Sequence, residues 1–151
     1  MNSSSFVAVK YGVFTTIALI AYFLMIKLLG LHTNPWFRMV NGLFMGYGIY
    51  VAIKNYKIIS GSDFNYINGF KVGLVTGFFA TFVFALFMGI YMFHIDVDFM
   101  NSLLKDWFNN SSYGGGILIF VIIVEGLASS TILTLTFMQI LKNSTKVVQK
   151  Q

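Results

Sequence analysis

The sequence predicts an all-α membrane protein of four transmembrane helices packed as an antiparallel bundle. Of its 151 residues, 57% are hydrophobic and 10% are charged, whereas about a quarter of a typical soluble domain is charged. The hydrophobic residues fall into four long runs, and a helix needs about 20 such residues to cross the hydrocarbon core of a bilayer. The length of the chain suits a single domain over residues 1–151.

The apolar runs give the bounds of the predicted spans, which are residues 11–29, 36–53, 72–93 and 117–141. A short polar turn that ends at Pro35 separates the first two spans, so they are expected to form an antiparallel hairpin. The first run is too long for the apolar core of a typical signal peptide, and a cleaved leader is therefore the less favoured interpretation.

The positions of the basic residues predict the orientation, because positive residues are retained on the cytoplasmic side of a membrane. One side of the predicted topology carries seven basic residues: Lys10, Lys54, Lys57, Lys71, Lys142, Lys146 and Lys150. The opposite side carries three: Lys27, Arg38 and Lys105. Both termini are therefore expected in the cytoplasm, and the connection between spans three and four is expected outside it.

That connection contains an amphipathic stretch over residues 96–108. Apolar residues recur at spacings of three and four, at Phe99, Met100, Leu103, Leu104, Trp107 and Phe108. Such a stretch is too polar to cross a bilayer, and its apolar face favours a helix that lies flat in the membrane interface. We expect Leu103, Leu104, Trp107 and Phe108 to face the acyl chains, and Asp96 and Asp98 to cap and solubilise the start of the helix.

Small residues predict where the helices contact one another, because in lipid they permit close approach of two backbones. Span three has a small residue at every fourth position: Gly73, Gly77, Thr81, Ala85 and Gly89. Span two offers Gly42 and Gly46, and span four offers Gly126 and Ser130. Packing within one bundle is the favoured interpretation, and a dimer interface is the alternative.

Glu125 is the one acidic residue inside a predicted span, and it lies about 12 Å along span four from its outer end. An ionisable side chain at this depth costs a few kcal/mol to insert and usually faces the bundle interior. At about 100° per residue, three polar residues fall within about 40° of its direction: Ser129, Thr136 and Gln139. They extend Glu125 into a polar stripe.

Asn41 joins this set because the tripeptide Asn-Gly-Leu at 41–43 resembles Glu-Gly-Leu at 125–127 and lies at a comparable depth. The five residues together form a candidate ion or proton site with Glu125 as the titrating group. Two other interpretations stay open for Glu125: a carboxyl group that fixes helix packing, and a contact to a partner subunit.

No catalytic constellation is found in the sequence. The chain has no cysteine, which excludes disulfides and thiolate chemistry, and it has no phosphate loop, dinucleotide fingerprint or nucleophile elbow. His32 and His94 are interpreted as interfacial residues, and Asp96 with Asp98 is a weak calcium signal. We therefore expect no catalytic site, no metal, no cofactor and no nucleic-acid partner.

Three segments carry a resemblance to a known family. They are Lys71-Val72-Gly73-Leu74, Asp96-x-Asp98-Phe99, and Glu125-Gly126-Leu127 with the Ser-Ser-Thr-Ile-Leu of 129–133. With its length and span layout, the chain resembles a family of small four-span bacterial inner-membrane proteins classed as a domain of unknown function. The resemblance implies residence in a bacterial inner membrane and a four-helix layout, and it implies no activity.

The leading functional hypothesis is a non-enzymatic accessory or scaffold subunit. Its expected partners are the lipid bilayer, further copies of itself as a homo-oligomer, or a larger membrane complex. The alternative is a proton- or cation-coupled transporter of a small solute that uses Glu125. A third and weaker hypothesis is a membrane enzyme acting on lipid with His94, Asp96 and Asp98.

Overall fold

The computed structural model describes residues 3–31, 36–108 and 114–141, and over these residues the regular structure is helical throughout. The predicted turn at Pro35, His32, and the lysines at 142, 146 and 150 lie outside the described residues. The five α-helices are α1 (Ser3–Leu28), α2 (Trp36–Ser60), α3 (Tyr66–Ile90), α4 (Val97–Phe108) and α5 (Gly116–Leu141). A 3-10 turn, Gly61–Asp63, precedes α3, and a π-helical turn, Tyr91–Ile95, follows it.

Within the described residues, three helical segments are long and apolar enough to cross a membrane: Ser4–Leu28, Tyr66–Ile95 and Gly116–Leu141. They contain the third and fourth predicted spans and, except for residue 29, the first. Helix α2 has a similar length of 25 residues, but Lys54, Lys57 and several glycines and tyrosines lower its apolar character, so it falls outside this group.

At the end of the bundle that holds the start of the chain, the helices extend past the predicted span bounds into polar sequence. Helix α1 starts at Ser3 rather than near residue 11, and α2 continues to Ser60 rather than to residue 53. Helix α3 starts at Tyr66, where the side chain of Asn65 caps it by accepting a hydrogen bond from Ile67 N at 2.8 Å. Hydropathy marks the part of a helix that suits lipid, whereas backbone hydrogen bonding and caps set its real ends.

The end of α1 is fixed by Gly30. Its φ is +69°, a left-handed conformation that glycine adopts without steric cost. Gly30 N donates to Lys27 O at 2.9 Å, and Leu31 N donates to Ile26 O at 3.1 Å. These two bonds form the Schellman motif, which satisfies carbonyl groups that the last helical turn would otherwise leave unpaired.

Helices α1 and α3 pack side by side and run in the same direction. Near their first turns Thr76 Oγ1 donates to Ala8 O at 3.2 Å. Near their last turns the rings of Phe23 and Tyr91 lie with centroids 5.0 Å apart. Thr76 of α3 and Tyr91 of the π-helical turn that continues it each lie 68 positions after their α1 partner, as expected for parallel helices in one continuous contact.

Helices α3 and α5 pack through their small residues in the opposite sense. Three facing pairs form this contact: Gly73 with Thr134, Gly77 with Ser130, and Thr81 with Gly126. Each step of four forward on α3 is matched by a step of four backward on α5, which is the register of antiparallel helices. A β-carbon on Gly77 would lie 2.5 Å from the Ser130 side chain, so only glycine permits this approach.

The other predicted packing positions differ in what they meet. Ala85 is buried on the same face of α3, and Gly89 lies against Ile119 of α5. Gly46 lies against Leu133, where a β-carbon would find ordinary contact at 3.5 Å. Gly42, which the sequence assigns to helix packing, has no atom within 4 Å of its β-carbon position. Among the described residues, no helix of the same chain therefore packs against Gly42, because α2 and α5 diverge before they reach it.

Helix α4 packs onto the ends of the other helices, which corrects the prediction that its apolar face lies on lipid. Phe99 and Leu104 are 6% and 1% exposed, and they share one apolar cluster with Phe23, Tyr91 and Leu118. The sequence pattern identifies which side chains share a face of α4. It does not tell whether protein or lipid covers that face, and here α1, α3 and α5 present apolar residues to it.

Candidate functional site

A cavity of about 400 Å³ lies between the helices at the end that α4 covers. All five helices contribute to its wall, which is mainly apolar. Six aromatic residues line it: Tyr22, Phe23, Phe37, Phe84, Phe99 and Trp107. Cavities of a few hundred cubic ångströms with such walls are the usual form of small-molecule sites.

Three of the five residues predicted as an ion or proton site come together in this wall. Asn41 reaches it from α2, and Glu125 and Ser129 reach it from α5. Asn41 and Glu125 were paired on the similarity of two tripeptides, and in the folded chain they line the same cavity from different helices.

Thr136 and Gln139 lie outside the cavity, so the predicted polar stripe does not form one site. Both side chains are exposed, and Thr136 Oγ1 donates to Ile132 O at 2.9 Å. Gln139 Nε2 lies 3.5 Å from Tyr66 Oη. They share the direction of Glu125 around the helix axis, but they lie about 16 to 21 Å farther along α5 at 1.5 Å per residue. There α2 has closed onto α5, with the rings of Tyr50 and Phe137 5.5 Å apart.

Among the described residues of the wall, two oxygen atoms are buried without a hydrogen-bond partner: Asn41 Oδ1 and Thr81 Oγ1. Thr81 is 2% exposed, so neither bulk water nor lipid headgroups reach its hydroxyl. Most buried polar atoms in proteins have a partner, and leaving one unpaired costs about 1–3 kcal/mol. A polar group held inside the cavity would supply partners to both oxygens.

A second carboxylate lines the cavity besides Glu125. Asp106 of α4 lies in the wall and is exposed. Among the described residues that line the cavity, none is lysine, arginine or histidine. The signal that locates Asp106 is its spacing, since Phe99, Leu103 and Asp106 fall at i, i+4 and i+7 and share one face of a helix.

The cavity opens to the surface between α2 and α5. Gly42 and Glu125 both line it and both are exposed. Gly42 has open space beside it, and the first described close approach of α2 and α5 is one turn farther along, where Gly46 meets Leu133. The wall is therefore exposed on the side of the molecule at Gly42 and Glu125, and it is also exposed at Asp106 and Trp107 of α4.

A second group of polar residues fastens α4 over the cavity. Tyr91 Oη donates to Asp96 Oδ2 at 2.9 Å, and Phe99 N donates to Asp96 Oδ1 at 3.0 Å. Lys27 Nζ lies 3.7 Å from Asp96 Oδ2 and 4.5 Å from the centroid of the Tyr91 ring. Asp96 thus caps α4, as the sequence predicts, and it also ties α4 to α1 and to the end of α3.

His94, Asp96 and Asp98, the residues considered for metal or lipid chemistry, do not form one site. Asp96 makes the contacts that hold α4, while His94 and Asp98 are exposed. Over the part of the chain that the structure describes, no group of three or more His, Asp or Glu side chains could hold a metal ion.

Over the described residues the regular structure is helical and three segments are long and apolar enough to cross a bilayer, which is typical of a helical membrane protein. The family described as Protein of unknown function (DUF4199) matches residues 10–143. The chain belongs to this family, which confirms the resemblance to a domain of unknown function. A search of curated proteins found no match, and neither did a search of solved structures.

Proposed function

We propose that this protein is a non-enzymatic membrane carrier with four spans that binds a small solute in the cavity between its helices. The observation that supports this function is the cavity itself, which holds Glu125, Asn41 and Ser129 in one wall and buries two unpaired oxygen atoms. This geometry favours the transporter hypothesis over the accessory subunit, because a scaffold needs no polar cavity.

The proposal takes α2 as the fourth span. Tyr22 Oη donates to Phe37 O at 3.0 Å at one end of α2, and Tyr56 shares an apolar cluster with Val7 near the other end. Helix α2 therefore follows α1 along most of its length. Its 25 residues extend about 37 Å at 1.5 Å per residue, which exceeds a hydrocarbon core of about 30 Å.

We place the protein in a bacterial inner membrane with both termini in the cytoplasm, on the seven-to-three distribution of basic residues. Lys57 supports this grouping, because its Nζ donates to Leu141 O at 2.7 Å. The end of α2, the end of α5 and the start of α1 then lie on one side of the membrane, and α4 lies on the other.

Glu125 would couple the movement of the solute to the movement of protons. A carboxylate inside a membrane protein is costly unless it is paired or protonated. In this proposal Glu125 exchanges a proton for a cation, so that its carboxyl group binds one or the other in each half of the cycle. Release of the proton on one side and its uptake on the other then drive the solute in the opposite direction.

The test is solute-dependent proton flux in vesicles that contain the purified protein and a trapped pH-sensitive dye. With a pH gradient imposed, small lipophilic cations should induce proton flux that the Glu125→Gln variant loses by at least about tenfold, a size typical of a lost charge-assisted contact. Asp63→Asn, which changes an exposed acid outside the cavity, is the matched control and should retain it. Equal flux in the wild type and Glu125→Gln would rule out this mechanism.

A second candidate function, the accessory or scaffold subunit, is favoured by the surface of α5. Only 11% of its membrane-suited stretch is buried, and large apolar side chains are exposed along it, Phe120, Ile132 and Ile140 among them. A partner subunit or a second copy would cover this face in place of lipid.

Cross-linking tests that candidate, because the chain has no cysteine of its own. Cysteines introduced at Ile132 or Ile140 should form cross-links in native membranes, whereas a cysteine at Ile49, which is fully buried, should not. A monomeric particle in mild detergent, with no cross-link and no co-purifying protein, would contradict a scaffold role.

A further inference from the structure

We propose that the ligand of the cavity is a lipophilic amine, with an apolar or aromatic body and one protonated nitrogen, which enters sideways between α2 and α5. This inference rests on the proposed solute-binding function and names the chemical class of the solute. It follows from three properties of the cavity: its wall, its polar atoms and its opening.

The apolar and aromatic lining of the cavity favours a ligand with an apolar or aromatic body. Most of it is aliphatic or aromatic, and its volume of about 400 Å³ suits a small organic molecule. Tyr22 and Phe37 come from α1 and α2, Phe84 from α3 and Trp107 from α4, so rings border the cavity from several directions. Aromatic faces pack well against apolar bodies and also attract a cationic group.

The two carboxylates and the unpaired amide oxygen of the wall favour a cationic head on the ligand, and the Asn41 amide and the Ser129 and Thr81 hydroxyls add donors to the same wall. Asn41 Oδ1 is buried and unpaired, and the carboxylates of Asp106 and Glu125 lie in the same wall. The phenol of Tyr22, a possible donor, already donates to Phe37 O. An ammonium group offers up to three donors and a positive charge, whereas an anionic ligand would meet two like charges.

The Thr81 hydroxyl adds an independent reason to expect a polar head at depth. It lies in the wall, is almost completely buried and has no partner. A hydroxyl both donates and accepts, so it can accept from an ammonium group. An apolar ligand would leave it unpaired, at the usual cost of a buried polar atom.

The position of the opening determines the route of entry, and entry by this route requires a lipophilic ligand. Helix α4 covers the end of the cavity, where Asp96 bonds to Tyr91 and pairs with Lys27. The exposed residues of the wall are Gly42 of α2, Glu125 of α5, and Asp106 and Trp107 at the last turn of α4. We take the gap between α2 and α5, on the side of helices that we place within the membrane, as the route. A solute that uses this route must first partition into the bilayer, and the Glu125 carboxylate at the opening meets its charge.

The test compares three probes with one body and different heads: 4-phenylbutylamine, 4-phenylbutanol and 4-phenylbutanoate. The full-length protein carries Trp36→Phe, so that Trp107 in the wall is the single fluorescent tryptophan. We expect the amine to change Trp107 emission with an affinity at least about tenfold higher than that of the alcohol, as for a charge-assisted contact. The carboxylate should give no saturable change.

Substitutions of residues in the cavity wall test whether the amine binds in this cavity. Asn41→Leu and Thr81→Val keep side-chain shape while removing the buried oxygens, and each should weaken amine binding several-fold. Glu125→Gln should weaken binding of the amine but not of the alcohol. Gly42→Leu should slow or block amine entry, and Asp63→Asn should bind as the wild type does. Thermal unfolding of each variant separates a lost site from a lost fold.

Two results would overturn the inference. Equal affinities for amine and alcohol would show that charge is not recognised. Tightest binding of the carboxylate, lost in Arg38→Gln, would show an anion site. Either result, together with proton flux that depends on Glu125, would overturn the ligand class and leave the carrier function standing. Amine-selective binding without any flux would support the ligand class and contradict the carrier function.

Discussion

Gly126 shows how a single residue without a side chain positions the candidate site. A β-carbon at this position would lie 2.5 Å from Thr81 Cγ2, so α3 and α5 reach their observed contact only because residue 126 is glycine. The neighbouring Glu125 is carried on the same turn of α5 and lines the cavity beside Thr81. The packing residue and the candidate functional residue are therefore adjacent in sequence and serve different contacts.

This contact gives a prediction at the residue scale. Gly126→Ala should lower the free energy of unfolding by about 1–3 kcal/mol, the usual cost of overpacking a tight contact. Gly42→Ala is the matched control, because open space surrounds its β-carbon position. It should be neutral or stabilising by up to about 1 kcal/mol through helix propensity. Thermal unfolding in one detergent measures both.

A double-mutant cycle identifies the partner. Thr81→Ala removes Cγ2 and Oγ1, the two nearest atoms that the new β-carbon would meet, so it should restore part of the stability lost in Gly126→Ala. If the two effects simply add, Thr81 is not the residue that opposes Gly126, and the α3–α5 register described above would be wrong.

Helix α4 forms part of the cavity wall and covers one end of the cavity. It contributes four residues to the wall, Phe99, Leu103, Asp106 and Trp107. Its start is held by Asp96, which caps the helix and accepts a hydrogen bond from Tyr91. The apolar face of α4 buries Phe99 and Leu104, so the cap and the apolar contact together keep the helix over the cavity.

A prediction at the scale of this element concerns the cap. Asp96→Ala should remove the N-cap, which is worth about 1 kcal/mol, together with the bond to Tyr91 and the ion pair with Lys27. We expect faster amide hydrogen exchange over 97–108 and greater thiol reactivity of a Leu104→Cys reporter. The helices that lie apart from α4 should keep their exchange rates.

Asp98→Ala is the control for this experiment, because Asp98 lies in the same first turn and is exposed. It should change exchange in α4 much less than Asp96→Ala does. Equal effects of the two substitutions would mean that the general negative charge of the first turn, rather than the contacts of Asp96, stabilises α4.

For the whole molecule, the predicted topology makes a labelling experiment decisive. With four spans and cytoplasmic termini, single cysteines at Ser102 or Lys105 should react with an impermeant thiol reagent applied to intact cells. Cysteines at Ser4 and Ser62 should react only after the membrane is permeabilised. The chain has no native cysteine, so the background is zero, and all of these positions except Ser102 and Ser4, which are half-buried, are exposed.

The position at Ser62 separates four spans from three. If α2 did not cross, Ser62 would lie on the side opposite to Ser4, and Ser102 would lie on the same side as Ser4. That pattern would contradict the fourth span. A complete inversion, with Ser4 and Ser62 labelled in intact cells and Ser102 protected, would keep the span count and overturn the orientation.

The sequence by itself determined the helical class, three membrane-suited segments and the small-residue face of α3. These follow from composition, hydropathy and a spacing of four, all of which are local properties of the chain.

The tertiary structure alone decided which residues meet. It separated Gly42 from the packing positions and divided the polar stripe after Ser129, because α2 and α5 diverge at one end and close at the other. It placed Asp106 in the cavity wall and covered the apolar face of α4 with protein. Periodicity fixes the direction of a side chain around its own helix, whereas what that side chain contacts depends on how separate helices approach one another.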